Sequence, residues 1–66
     1  MKICVNGESK QVLNNCSITD LLLLLEITGR RVAVELNKEI VPKSLHSVTI
    51  LQENDVVEVV HAIGGG

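Results

Sequence analysis

Apolar and polar residues alternate from Met1 to Val5, with Met1, Ile3 and Val5 on one side and Lys2 and Cys4 on the other. A period of two predicts a half-buried strand. Asn6-Gly7 follows, and because both residue types tolerate the positive φ of a type I′ turn, the dipeptide predicts a hairpin. Its second strand is expected over Lys10 to Leu13. At Ser17-Ile18-Thr19-Asp20 the pattern changes. Ser17 can cap free N–H groups and Asp20 places negative charge in the first turn, so a helix starts here. Cys16, just before the cap, is placed to pack on Leu21 as a hydrophobic staple. Ile18, Leu21, Leu22 and Leu25 share one arc of a helical wheel and form the core stripe. Leu23 and Ile27 fall on the far side and Leu24 at the border; these three read as extra core or as a docking surface. Gly29 is the expected C-terminal stop, with Arg30 and Arg31 complementing the carbonyl end.

Beyond the helix, Val32 to Leu36 and Glu39 to Val41 read as strands flanking a turn at Asn37-Lys38, and Pro42 ends the second. In the first of them, Glu35 turns Val32, Val34 and Leu36 inward. Lys43 to Ser47 is expected to form a short turn or a single helical turn, and Val48 to Leu51 a brief extended segment. Glu53-Asn54-Asp55 is a polar turn in which Asn54 tolerates the left-handed conformation. Val56 to Val60 is the last strand; it is almost continuously apolar, which predicts parallel pairing with the first strand at the centre of the sheet. Glu58 marks its solvent side and leaves Val56 and Val60 beside it as an exposed apolar patch suited to binding a protein. A hairpin, a helix, two strands, an irregular crossing and a last strand bury these surfaces most simply as a sheet with one helix across one face. That order resembles the β-grasp fold of ubiquitin-like proteins. The expectation is an α+β domain over residues 1–61, a mixed sheet of four to five strands with one helix, and a flexible tail over 62–66.

Composition narrows the chemistry. The chain has 66 residues, 45% of them apolar, and no Phe, Tyr or Trp. A chain this short buries about 60% of the surface it exposes when unfolded, which leaves little room for a deep active site. Without aromatics there is no stacking platform for bases or flavins. The net charge is −2 with signs interspersed, so no basic stripe is present to neutralise phosphates. The longest apolar run, Leu21 to Leu25, is far below the roughly 20 residues of a membrane span, and the first ten residues lack a signal-peptide core. The reading is a cytoplasmic protein without nucleic-acid or membrane partners. Cys4 and Cys16 form no CxxC pair and read as free thiols. They are too few for an iron–sulfur cluster, and His46 and His61 have no ligand at metal spacing. Cys4 reads as a passive surface thiol. Cys16, beside a helix N-terminus, is the better candidate for a lowered pKa, although its staple role is preferred.

The last strand runs into His61, Ala62 and Ile63, then Gly64, Gly65 and Gly66. Three glycines there maximise backbone freedom and suit a tail that enters a narrow channel of another protein. An α-carboxylate on Gly66, with a pKa of about 3.5, is an anion at neutral pH and a poor electrophile. Attack on the α-phosphate of ATP converts it to an acyl-adenylate, and a sulfur nucleophile then displaces AMP. Glycine leaves that carbonyl uncrowded. No paired carboxylates, Ser/His/Asp set or phosphate loop accompany the tail, so the chain supplies the electrophile while a partner supplies the catalytic groups.

Several segments together resemble the ThiS family, the sulfur carrier of thiamine biosynthesis. They are Val5-Asn6-Gly7, Thr19-Asp20-Leu21-Leu22, Asn37-Lys38-Glu39-Ile40-Val41-Pro42, Asp55-Val56-Val57-Glu58-Val59-Val60, and the ending Val60-His61-Ala62-Ile63-Gly64-Gly65-Gly66. Asn54 departs from the glycine usual before that Asp, and both accept positive φ. The resemblance implies that an E1-like adenylyltransferase of the ThiF type uses ATP to adenylate Gly66. It further implies that a cysteine desulfurase supplies sulfur as a persulfide, that the product is a C-terminal thiocarboxylate, and that a thiazole synthase of the ThiG type takes the sulfur. The chain itself would be a carrier, not an enzyme, without bound cofactor or metal, and a monomer when free. Gly65, Gly64 and Ile63 would enter the partner's site, and Val56, Val60 and His61 would form a partner surface. His61 reads equally as an exposed strand-end histidine. The remaining alternatives are a sulfur carrier for molybdopterin, amino-acid biosynthesis or tRNA thiolation, and a non-covalent β-grasp adaptor.

Overall fold

The Asn6-Gly7 turn closes the first hairpin with φ of 50° and 83°, as expected for two residues that accept the left-handed region. The computed structural model that defines it describes residues 1–27 and 31–61. Strand β1, Lys2–Val5, pairs antiparallel with β2, Glu8–Gln11, and Val5 lies opposite Glu8. A two-residue loop forces pairing to resume at its flanking residues, so β2 begins two positions before the expected Lys10. Val12 lies beyond the strand but is buried, with its N–H donating to the Met1 carbonyl at 2.9 Å. Leu13, expected within the strand, is exposed.

Helix α1, Ile18–Leu24, opens with a full capping box: Ser17 Oγ accepts from the Asp20 N–H at 3.0 Å, and Asp20 Oδ2 accepts from the Ser17 N–H at 3.1 Å. Two N–H groups that the helix leaves without partners are thereby satisfied. Cys16 and Leu21 are both buried in the core, as the staple requires. The helix stops earlier than Gly29, which lies outside the described residues together with Arg30. Glu26 takes φ of 58°, its N–H donates to the Leu23 carbonyl, and the Ile27 N–H donates to the Leu22 carbonyl. This crossed pair of bonds is a Schellman stop, normally built on glycine. It carries Ile27 off the helix and back onto the core beside Leu22, so Ile27 is not on the far side. Leu23 and Leu24 are exposed.

Strands β3, Val32–Leu36, and β4, Glu39–Val41, form the second hairpin through Asn37 and Lys38, both at positive φ. A single 3₁₀ turn follows over Lys43–Leu45. Val48 to Leu51 does not become a strand. The segment crosses the helix entrance, where Ile50 bridges to Ser17 and the Leu51 N–H donates to the Cys16 carbonyl at 2.8 Å. Among the described residues it pairs with no strand of the sheet. Asn54, at φ of 69°, turns the chain into β5, Val56–His61.

The five strands form one mixed sheet in the order β2-β1-β5-β3-β4, with β1 and β5 parallel at its centre. Ile3, Val5, Val34, Val57 and Val59 line its inner face and pack with Ile18 and Leu21 of the helix and with Leu51. Val32 and Leu36 pack at the margin of that core, as the orientation of Glu35 predicts. This is the expected β-grasp arrangement, made from aliphatic side chains and one buried thiol. No helix among the described residues is long and apolar enough to cross a membrane.

Candidate functional site

Two asparagines at tight turns fix the course of β5 toward the tail. Asn37 at the β3–β4 turn accepts the Val56 N–H on Oδ1 at 2.9 Å and donates its own N–H to the Val56 carbonyl at 2.7 Å. Its Nδ2 donates to Asp55 Oδ1 at 3.0 Å, while Asp55 Oδ2 accepts the Gln52 N–H at 2.7 Å. On the other flank, Asn6 donates its N–H to the Val57 carbonyl at 2.9 Å and accepts the Val59 N–H on Oδ1 at 2.8 Å. A side-chain amide thus continues the parallel ladder after β1 has turned away. The left-handed conformation that makes each asparagine a turn residue also leaves its amide free to face β5. Their role in anchoring this strand has no signal in the sequence, where both read only as turns.

The strand alternates as its sequence predicts. Val57 and Val59 are buried, whereas Val56 and Val60 are 44% and 56% exposed on the opposite face beside Glu58. Cys4 lies opposite Val56, Ala33 opposite Val60, and Glu35 opposite Glu58. Ile40 of β4, opposite Glu35, is 71% exposed. The outer face of the sheet is therefore apolar around two neighbouring carboxylates. His61 pairs through its backbone with Val32 at the end of the strand. Ile63, Gly64, Gly65 and Gly66 lie outside the described residues, as does the side chain of His61.

The rest of the described domain offers no chemical centre. No group of three or more His, Cys, Asp or Glu side chains converges on a metal-sized site among the described residues. An apolar groove of about 240 Å³ beside Val12, Leu13, Asn15, Cys16 and Leu24 holds a single carboxylate, Asp20. Cys16 does not have the lowered pKa suggested by its place before the helix. Burial pushes the pKa of its thiol above that of an ordinary cysteine, and the Asp20 carboxylate adds to the rise. The capping box explains this outcome, since the helix N–H groups already serve Ser17 and Asp20. The thiol instead donates to the Ser17 carbonyl at 3.5 Å. Cys4 is half-buried on the outer face. His46 is buried beneath the crossing segment, and its Nε2–H donates to the Val41 carbonyl at 3.0 Å. That satisfies a core histidine and joins the end of β4 to the crossing.

Residues 3–66 match the model of the ThiS family. The chain is 42% identical over 66 residues to a thiazole synthase of Magnetococcus marinus, an alignment that covers all of this chain and 20% of that protein. A thiazole synthase of Paramagnetospirillum magneticum is 41% identical over the same span, so the chain covers about a fifth of the length of these two relatives. The sulfur carrier protein ThiS of Bacillus subtilis is 42% identical over 50 residues, 76% of each chain. The crystal structure of a thiamine biosynthesis protein (ThiS) from Geobacter metallireducens superposes with a TM-score of 0.87 at 32% identity, covering both chains in full.

Proposed function

The chain belongs to the ThiS family of sulfur carriers, and from that premise we propose that Gly66 carries the α-carboxylate that is loaded with sulfur for the thiazole ring of thiamine. One observation carries this reading: the central strand β5, held on both flanks by Asn6 and Asn37, leads directly into Ala62-Ile63-Gly64-Gly65-Gly66. The two thiazole synthase relatives, which contain a domain like this one, support a thiazole synthase as the acceptor of the sulfur.

The chemistry begins at a carboxylate that must be made electrophilic. An oxygen of the Gly66 carboxylate attacks the α-phosphorus of ATP in an E1-like partner, forming an acyl-adenylate and releasing pyrophosphate. A persulfide from a cysteine desulfurase attacks the acyl carbon and releases AMP. This leaves an acyl disulfide, and a thiolate of the partner attacks its desulfurase-derived sulfur, breaking the S–S bond to form a new disulfide and releasing the thiocarboxylate on Gly66. Gly65, Gly64 and Ile63 thread the partner's channel, and the missing Cβ atoms let the backbone approach the nucleotide closely. Val60 and His61 lie at the base of the tail and Val56 at the other end of β5, on the same face as Val60, and a docked enzyme covers them. The carrier contributes position and a carboxylate, and all acid–base groups belong to the partner.

The adenylation step is tested by pyrophosphate exchange. The adenylating enzyme should incorporate labelled pyrophosphate into ATP only when the chain is present, and not when the chain lacks Gly66. Exchange that is independent of the chain, or unchanged by that deletion, contradicts the proposal.

A further inference from the structure

The open face of the sheet carries an arrangement that an isolated domain does not need. Glu35 and Glu58 lie directly opposite each other on β3 and β5. Side chains so placed have Cβ atoms about 4.5–5.5 Å apart, and like charges there repel. Among the described residues, neither carboxylate has a hydrogen bond or an ion pair. Their surroundings are apolar. Val56 and Val60 flank Glu58 along β5, Ala33 precedes Glu35 on the same face, and Ile40 lies across from Glu35. A protein that covers these aliphatic side chains must also remove two adjacent carboxylates from water. Without a cation that burial is strongly unfavourable; with one it becomes a source of specificity.

We propose that Glu35 and Glu58 together seat a guanidinium presented by the protein that docks on this face, an arginine set among apolar side chains of the activating partner. The proposal rests on the carrier reading above. Two carboxylates side by side match the planar fork of an arginine better than the point charge of a lysine, because separate N–H groups can reach each carboxylate. The valines and Ile40 supply the apolar contact around that seat. The paired charge selects the partner and speeds encounter. In the free chain the same pair keeps the apolar face from covering itself with a second copy, because two copies would bring four carboxylates together.

The test compares wild type with Glu35→Gln/Glu58→Gln and Glu35→Leu/Glu58→Leu for affinity to the adenylating enzyme encoded in the same genome, at low and high salt. Circular dichroism melting checks that both variants fold. Both double variants should bind at least about tenfold more weakly, associate more slowly and lose most of the salt dependence. The leucine variant is decisive: a purely apolar docking face would bind more tightly when its apolar area grows, and that result overturns the seat. Equal binding by all three chains, with wild type still adenylated, removes the seat and leaves the carrier reading standing. A wild-type chain that is neither bound nor adenylated removes both. Sedimentation showing that free wild type is a dimer dissociated by changes at Val56 and Val60 assigns the face to a second copy and also overturns the proposal.

Discussion

Glu26 stands where helices usually place glycine. Its φ of 58° completes the Schellman stop, and that conformation brings Ile27 onto the core. A side chain with a Cβ pays about 1–2 kcal/mol for the left-handed region, partly offset by the greater entropy that glycine has when unfolded. Glu26→Gly should therefore stabilise the domain by about 0.5–1 kcal/mol and raise its melting temperature by a few degrees. Cys16 makes a second residue-scale prediction. Burial, with the Asp20 carboxylate, raises its pKa, so the folded chain holds the thiol proton more tightly than the unfolded chain does. This contribution to stability is fully present below the unfolded pKa and is lost as pH rises through the folded one. Iodoacetamide near pH 8 should label Cys16 far more slowly in the folded chain than in urea. Equal rates would contradict its placement. The sequence places the helix stop too late, at Gly29, whereas the staple role it favours for Cys16 is the one the fold uses. Glu26 is not a usual stop residue, so nothing local marks the end of the helix.

At the scale of elements, local chemistry was strongly legible. Asn6-Gly7, Asn37-Lys38 and Asn54 each turn at positive φ, and Ser17 and Asp20 start the helix as their types require. The alternation around Glu58 correctly divided β5 into buried and exposed valines. What local patterning does not contain is long-range bonding. Val48 to Leu51 has the composition of a short strand, yet its partners are at the helix entrance. The anchoring of β5 by Asn6 joins residues more than fifty positions apart, and no turn signal implies it. This anchor separates two effects by mutation. Asn6→Gly keeps the turn and loses the bond to Val59, which should cost about 1 kcal/mol in urea denaturation. Asn6→Ala loses the bond and also strains the turn, so it should cost about 1 kcal/mol more. An Asn6→Gly variant as stable as wild type would mean that the amide does not hold the strand.

Across the whole molecule, the domain is a scaffold that brings one strand to the base of the tail. Its core is drawn from the described residues: Ile3, Ile18, Leu21, Val34, Leu51 and Val57 are all essentially closed to solvent. The C-terminal glycines form a motif in the sequence because they stand apart from every periodic pattern. The outer face was legible only in part, since the exposed valines follow from alternation, whereas the pairing of Glu35 with Glu58 requires the register of β3 against β5. The central claim is that scaffold and cargo site are separable. The direct measurement is intact mass after incubation with ATP, cysteine, a cysteine desulfurase and the adenylating enzyme, for wild type and for the chain lacking Gly65 and Gly66. The account predicts that one oxygen is replaced by sulfur in wild type only, while the truncated chain melts at nearly the same temperature. A truncated chain that still acquires sulfur, or one that unfolds, would contradict it.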